Sequence, residues 1–164
     1  MDNTSTFTKS SYILLNFDNY IHTKLNVNIL KFMNNDFEQI SLKQGFMKHN
    51  GGVLFKTLSE SEYLFKTTIK ENHLNAAGIA HGGFIAAFVD AGAGTAAHRS
   101  AENSPCVTIS LDLKFVSAAS LGQKLLGKVK IQKKTRTLVF ATCEISSSEN
   151  IVATASGVWK ILKT

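Results

Sequence analysis

The sequence predicts one α+β domain, in which a long helix is followed by antiparallel strands. Its 164 residues correspond to about one domain, at roughly 150 residues per domain. The segment from Ala80 to about His98 is apolar or small on nearly every side, which indicates a buried helix. After Pro105, apolar and polar residues alternate with a period of two, as is typical of strands. Together, one helix and several strands favour the α+β class.

The composition is that of a globular protein. Hydrophobic residues make up 44% of the chain and there is one proline, which excludes a disordered chain and a proline-rich fibre. No stretch approaches the roughly 18 unbroken apolar residues of a membrane span, so no membrane partner is predicted. The net charge is +6, but the basic residues are spread along the chain and do not alternate with aromatic residues. We therefore expect ordinary surface charge and no nucleic-acid partner.

The cysteines and the first residues of the chain bear on its location. Cys106 and Cys143 belong to no Cys-x-x-Cys motif, so they predict no metal or redox site. Two cysteines cannot form a disulfide-rich scaffold, and they fit a reducing compartment. The first residues lack the basic region of an export signal, and their apolar run is too short for one. We expect a cytoplasmic protein.

The chain divides into a predicted N-terminal extension, residues 1–45, and a main domain, residues 46–164. In the extension, apolar residues at helical spacing predict an amphipathic helix between about Val27 and Ile40; they are Ile29, Met33, Phe37 and Ile40. Nothing in this region resembles a catalytic motif.

Strands are predicted on both sides of the long helix. Two segments rich in β-forming residues, Val53–Thr57 and Tyr63–Ile69, precede it as a hairpin or as two strand pieces. After it, the alternation predicts that one face of a strand is apolar, with Val107, Ile109, Leu111, Leu113 and Phe115. Three further strands begin near Leu125, Val139 and Ile151, and the short connections predict an antiparallel meander.

Asp90 is the one charged residue inside the apolar helix. An ionised carboxylate costs several kcal/mol to bury unless it is hydrogen-bonded or paired. Asp90 is therefore either a residue at a solvated gap, or bonded to a nearby amide, or a general base or nucleophile in a cleft.

The start of the same helix, His81-Gly82-Gly83, is the second feature. Backbone N–H groups in a first helical turn have no helical acceptors and can bind an oxygen with partial negative charge. A tight turn that needs glycine is the alternative. Gly82 and Asp90 are about 12 Å apart along a helix, at 1.5 Å per residue. If both act on one carbonyl group, two antiparallel copies of the helix must lie side by side.

These residues carry a resemblance to a known family. The pattern of Asn75, Gly78, His81-Gly82-Gly83, Asp90 and Val107-Thr108 resembles the PaaI-type acyl-CoA thioesterases of the hotdog-fold superfamily, including those similar to human thioesterase superfamily member 2. The resemblance covers about Phe46 to Ile161. It implies a hotdog fold, in which an antiparallel sheet wraps around a long central helix.

The resemblance also implies roles for individual residues. Asp90 would be the catalytic carboxylate, as general base or nucleophile, and the Gly82 amide would hold the thioester oxygen. Asn75 would position the thioester or its water, His81 would support this loop, and Thr108 would help hold the attacking water. The implied coenzyme A contacts are Lys133, Lys134, Thr135, Arg136, Thr137 and Leu138, with Phe115 lining the pocket.

The implied partner is an acyl-CoA substrate, with coenzyme A present only as part of substrate and product and with no cofactor or metal. Members of the family pair through the edge strand after the helix, here about Cys106 to Val116, and form homodimers or homotetramers. The main hypothesis is an acyl-CoA thioesterase. A non-catalytic acyl-CoA-binding or sensing module on the same fold is the alternative, and a hydratase is a third candidate whose catalytic motif is not seen in the sequence.

Overall fold

The computed structural model describes residues 37–148 and 150–162, and all of these after Phe37 belong to one compact unit, Glu38–Thr164. Within this part of the chain there are seven strands, two α-helices and a short 3₁₀-helix at Glu71–His73. The helices are α1 (Phe46–His49) and α2 (Gly82–Ser100). The strands are β1 (Glu38–Ile40), β2 (Val53–Thr57), β3 (Glu62–Thr68), β4 (Cys106–Phe115), β5 (Lys124–Lys134), β6 (Leu138–Ser147) and β7 (Asn150–Ile161).

The structure confirms the α+β class, the long helix and the first hairpin. The seven strands form one sheet in the order β1-β2-β3-β5-β6-β7-β4, and every neighbouring pair is antiparallel. The predicted helix between about Val27 and Ile40 lies mostly outside the described residues, and its last residues form β1 instead. Ile40 pairs with Val53 of β2 and packs against the core, so the sheet edge overrides the local helical spacing. The boundary at residue 46 stays a prediction.

The predicted meander is correct for β5, β6 and β7 but wrong for β4, which pairs with β7 at the edge of the sheet. The connection from β4 to β5 crosses the end of the sheet. Its backbone is held there, because the Ala80 N–H donates to Ala119 O and the Ile69 N–H donates to Gln123 O. As a result, β5 pairs with β3. The short link between β4 and β5 had predicted instead that these two strands pair with each other.

A bulge in β4 changes which residues face the helix. Thr108 pairs with Trp159 and Ser110 pairs with Val158, so Ile109 is the extra residue. An extra residue reverses the in-out alternation. Before the bulge Cys106 packs against the core, whereas after it Leu111 and Leu113 do. The prediction that Val107 and Ile109 share one face with Leu111 and Leu113 is therefore wrong, and both side chains are exposed.

The core lies between α2 and the sheet. The buried side of α2 includes Phe84, Phe88 and Val89. Phe65 of β3 lies between Gly92 of α2 and Gly127 of β5, and a Cβ atom at either glycine would overlap its ring. Because glycine has no side chain, these two positions leave the space that the Phe65 ring fills. No helix in the described ranges is long and apolar enough to cross a membrane.

Candidate functional site

The first turn of α2 presents an unused backbone donor. His81 is the N-cap, and its Nδ1 accepts a 2.8 Å hydrogen bond from the Gly83 N–H. The Gly82 N–H, by contrast, has no acceptor among the described residues. A free N–H at a helix start, reinforced by the helix dipole, can bind an oxygen that carries negative charge.

Gly82 lines a groove of about 290 Å³ that is open to solvent. Asn75 and Phe115 line the same groove, so the structure brings these three predicted site residues together. The remaining lining is mostly apolar and comprises Ile79, Ala80, Ile85, Val116, Ser117, Ala118, Ala119 and Val152. The Phe115 ring is 59% exposed, and its Cζ lies 3.1 Å from where a Cβ on residue 82 would be. Any side chain at position 82 would therefore crowd this ring.

The Asn75 side chain is fixed by the turn that precedes α2. Its Oδ1 accepts from the Ala77 N–H at 2.9 Å and from the Ile79 N–H at 3.3 Å. Gly78, with φ of +74°, provides the left-handed backbone that closes this turn. The amide oxygen is thus occupied, whereas the Asn75 Nδ2 group has no acceptor among the described residues.

Asp90 and Thr108 form a second cluster. The Thr108 Oγ1 donates to Asp90 Oδ1 at 2.7 Å, which the bulge in β4 makes possible by turning Thr108 toward α2. In a single chain the helix is buried along one side only, not on nearly every side as predicted, and Asp90 lies on its exposed side rather than inside the core. The carboxylate is therefore solvated in a single chain, and no burial cost needs to be offset.

The two clusters do not meet within one chain. Gly82 and Asp90 are separated along α2 by about 12 Å. A single carbonyl group cannot contact both of them on the same helix. Each chain thus presents one half-site with an amide donor and another with a carboxylate.

The predicted coenzyme A turn, residues 133–138, is the hairpin between β5 and β6. Thr135 closes it, because its Oγ1 accepts from the Leu138 N–H at 2.9 Å and from the Thr137 N–H at 3.3 Å. Lys134 reaches the end of α2, where its Nζ donates to Ser100 O at 2.9 Å and lies 3.4 Å from Glu102 Oε1.

The other two basic residues of this turn are not engaged in the same way. Lys133 and Arg136 are exposed, and neither has a hydrogen-bond or ion-pair partner in the part of the chain that is described. The three cations of the turn are therefore not equivalent, since Lys134 is already used to hold the turn against α2.

His73 has no predicted role, and the structure places it next to the start of α2, where its O accepts from the His81 N–H. The imidazole is 1% exposed and stacks on Phe84 of α2, with ring centroids 3.7 Å apart. Burial lowers the pKa of His73 below its ordinary value of 6.5. The one available signal was its position two residues before Asn75, which does not by itself indicate burial.

Two further kinds of site, a metal centre and a reactive cysteine, have little support among the described residues. Among residues 37–148 and 150–162, no group of three or more His, Cys, Asp or Glu side chains could hold a metal ion. Burial raises the pKa of the Cys143 thiol to about 12 and also raises that of Cys106, so neither is an activated nucleophile.

Comparisons with known proteins identify relatives of this chain. The family model of the thioesterase superfamily matches residues 77–154. The Pseudomonas aeruginosa protein named "Putative esterase PA0474" is 37% identical over 94 residues, which cover 57% of this chain and 70% of that protein. The mouse acyl-coenzyme A thioesterase 13 is 24% identical over 103 residues, covering 63% of this chain and 74% of the relative.

Solved structures show the same fold. Zebrafish thioesterase superfamily member 2 superposes with a TM-score of 0.67 at 24% identity, covering 74% of this chain and 90% of that chain. A hypothetical thioesterase protein of Streptococcus pneumoniae, solved with coenzyme A, gives a TM-score of 0.64 at 19% identity, covering 70% and 88% of the two chains. These likenesses confirm the predicted hotdog fold, with its sheet around a central helix.

Proposed function

Because this chain belongs to the thioesterase superfamily and is a thioester hydrolase, we propose that it hydrolyses acyl-coenzyme A to a free acid and coenzyme A at a site shared by two copies of the chain. The main support for a shared site is that the unpartnered Gly82 N–H and the solvated Asp90 carboxylate lie on one helix, about 12 Å apart. A second copy with its α2 antiparallel would bring its Gly82 opposite Asp90. Two equivalent sites then arise from one two-fold axis.

In this arrangement the Gly82 N–H of one copy donates to the thioester oxygen. Asp90 of the other copy takes a proton from a water held by the Thr108 hydroxyl. The water oxygen bonds to the carbonyl carbon, the carbon–sulfur bond breaks, and the proton passes to the leaving thiolate. An amide donor stabilises the negative charge of the tetrahedral intermediate, and its loss typically costs roughly 10²–10³-fold in rate.

A direct attack by Asp90 is the alternative route. It would form an acyl anhydride, which water then hydrolyses. Label found in the Asp90 carboxylate after a single turnover in ¹⁸O-labelled water would establish this route. Label appears in the Asp90 carboxylate only if the anhydride forms and water attacks its aspartyl carbon, and general-base catalysis leaves the label in the product acid alone.

Asn75 and His81 support the donor half-site. Asn75 lines the groove, and its Nδ2 group would serve there as a further donor, for the thioester or for its water. His81 caps α2 through the Gly83 N–H, which keeps the first helical turn in place. Phe115 covers Gly82 from the solvent side and would contact the acyl group.

The edge strand β4 is the proposed dimer contact. It is the last strand of the sheet, and four large apolar residues on or beside it are exposed, namely Val107, Ile109, Phe115 and Val116. An exposed edge with apolar side chains is a template for pairing with another strand. We propose a homodimer through this edge, alone or as half of a homotetramer.

The basic turn is placed to hold the coenzyme A phosphates. Lys134 fixes it against Ser100, about 15 Å along α2 from Asp90, so the turn lies at a distance that an extended pantetheine arm would span. Lys133 and Arg136 project from the turn as exposed cations and would contact the phosphates. Coenzyme A enters only within substrate and product, with no further cofactor or metal, so dialysis against a chelator should leave activity unchanged.

Turnover separates the enzyme from its alternative, the non-catalytic acyl-CoA-binding module. The purified chain is incubated with short, medium, long and aromatic acyl-CoA thioesters, and free thiol is measured. Thiol release supports the enzyme, whereas binding of acyl-CoA without release across the whole panel supports the sensing module.

A mixing experiment tests whether the site is shared. The Gly82→Pro chain lacks the N–H but keeps a residue suited to the first helical position, and Gly82→Ala adds a comparable Cβ while keeping the N–H. Gly82→Pro and Asp90→Asn chains are each nearly inactive alone. After unfolding and refolding together, half the dimers are mixed and each has one intact site, so about a quarter of the wild-type activity returns.

The activity of the mixed sample shows whether the Gly82 amide and the Asp90 carboxylate act from one chain or from two. If both groups act within one chain, every site in a mixed dimer is defective and no activity returns. An active monomer by light scattering would also contradict the shared site. Equal activity of the Gly82→Pro and Gly82→Ala chains would show that the amide hydrogen is not used.

A further inference from the structure

His73 is a fully buried titratable group that the proposed reaction does not use. It lies in the 3₁₀-helix between β3 and α2 and is 1% exposed. Its two ring nitrogens are both occupied. The Lys70 N–H donates to Nδ1 at 3.1 Å, and Nε2 lies 3.0 Å from Asn50 O. Since Nδ1 accepts, the proton must be on Nε2, which donates to Asn50 O, and the ring is neutral.

The same residue contacts the start of α2 in two ways. The His81 N–H donates to His73 O at 2.7 Å, which fixes the residue immediately before Gly82. The imidazole stacks on Phe84 with an interplanar angle of 12°, which fixes the first turn from the inside. The chain from His73 to His81 also contains the Asn75 turn, closed by the bridge between Leu74 and Ala80. His73 therefore holds both ends of the segment that forms the donor half-site.

We propose that neutral His73 is a positioning residue, which holds the Gly82 amide and the Asn75 side chain in their catalytic orientation and releases them when its ring is protonated. This inference rests on the proposed role of Gly82 as the oxyanion donor. Protonation places a hydrogen on Nδ1, facing the Lys70 N–H, so that two donors meet. The contact with Lys70 would break and the stack on Phe84 would shift.

The groups around the ring decide the direction of the pH effect. Phe84 of α2 and the Asn50-Gly51 turn bring no charge to the ring, whereas the Lys70 ammonium opposes the imidazolium. Burial and Lys70 lower the pKa of His73, against the hydrogen bond to Asn50 O, which raises it. The ring is therefore mostly neutral at its ordinary pKa of 6.5, and activity is lost as the pH falls through the lowered pKa of His73.

Steady-state kinetics of the wild-type and His73→Gln chains between pH 5 and pH 8 test the inference. Glutamine keeps a donor for Asn50 O and does not titrate. We expect the wild-type kcat to fall below pH 6.5 with little change in KM. The His73→Gln chain should lose that fall while keeping a measurable plateau. His73→Phe, which keeps an aromatic ring on Phe84, should lower kcat by roughly tenfold to a hundredfold at every pH, because a small misplacement of catalytic groups is costly.

His81 is the other titratable side chain at the start of α2, and His81→Asn serves as the control because asparagine also caps helices. The inference is overturned if the acidic fall persists in His73→Gln, whatever the result for His81→Asn. A second measurement needs no variant. In the NMR spectrum of the wild-type chain, the Gly82 amide shift should move at the pH at which the His73 ring titrates.

This second measurement also separates the inference from the proposed function. A Gly82 amide that is unmoved while His73 titrates would refute the positioning role, whatever the activity. A chain that shows the coupled shift but cleaves no thioester would contradict the proposed function and leave the coupling of His73 to Gly82 intact.

Discussion

The two sides of α2 differ in their surroundings within a single chain: one side is packed against the sheet, and the other is exposed to solvent. The buried side packs Phe84, Phe88 and Val89 against the sheet, and Phe65 fills the space left at Gly92. The exposed side carries Asp90, whose carboxylate has one hydrogen bond, to Thr108. The core is thus complete within one copy, whereas the proposed chemistry on the exposed side needs an amide donor from a second copy. The fold accordingly needs one chain, and the proposed reaction needs two.

The largest expected effect comes from the exposed side. Asp90→Asn should lower kcat by roughly 10²–10⁴-fold, the usual contribution of a general base, because the amide cannot take the proton from water. The same change should leave the melting temperature almost unchanged, since the side chain is solvated. Thiol release and a thermal melt on the same sample measure both quantities.

The matched control for Asp90 is another exposed aspartate, Asp112 on β4, which pairs with Lys114 at 2.8 Å. Asp112→Asn should change neither activity nor stability appreciably, because exposed ion pairs contribute little. Full activity in Asp90→Asn would rule out the proposed mechanism. A large loss of stability would show that the two sides of α2 are not independent.

The buried side should give the opposite result. A Cβ at Gly92 would overlap the Phe65 ring, so Gly92→Ala should destabilise the fold by about 1–3 kcal/mol, as overpacked cores do. Gly94→Ala on the same helix is the control, because its Cβ would meet Trp159 Nε1 at an ordinary 3.4 Å. Alanine is the better helix former by about 1 kcal/mol, so this variant should be neutral or more stable. Denaturant unfolding measures the free energy of unfolding of both variants. Equal destabilisation by Gly92→Ala and Gly94→Ala would contradict the role of the Phe65 ring.

The smallest expected effects concern the basic turn. Lys133→Met and Arg136→Met should raise KM for acyl-CoA by about threefold to fivefold, because exposed ion pairs are weak. Neither should alter KM for the same acyl group on pantetheine, which lacks the nucleotide phosphates. Lys134→Met should instead lower the melting temperature, because it removes the contact with Ser100 O at the negative end of α2.

The readout for the turn is the ratio of the two KM values. If Lys134→Met changes that ratio as much as Lys133→Met does, Lys134 also contacts the phosphates. If no variant changes it, the turn does not bind coenzyme A. Lys128→Met, an exposed lysine on β5 away from this turn, is the control for loss of charge alone.

The elements that sequence predicts well are those with a strong local signal. The run of apolar and small residues in α2 predicts the helix, and the β-rich segments Val53–Thr57 and Tyr63–Ile69 predict the hairpin. Asp90 and Gly82 stood out as a charge in an apolar helix and as glycine at a helix start. Their separation along α2 already implied a second chain.

The parts that sequence could not predict depend on contacts between distant residues. The edge position of β4 follows from where the connection through Ala119 is held, which no local pattern records. The role proposed for His73 depends on Asn50, Lys70 and Phe84, which approach it only in the folded chain. The exposure of Asp90 likewise depends on which side of α2 the sheet covers.

The extra residue in β4 has a consequence for how the enzyme could be disabled. Thr108 points to α2 only because Ile109 is inserted in the ladder. Shortening the strand by one position at this point would rotate the hydroxyl to the opposite surface and leave the carboxylate without its companion. The packing of Leu111 and Leu113 beyond that position would be preserved. In the proposed mechanism, activity thus depends on the phase of the pleat in β4, which decides where the Thr108 hydroxyl points.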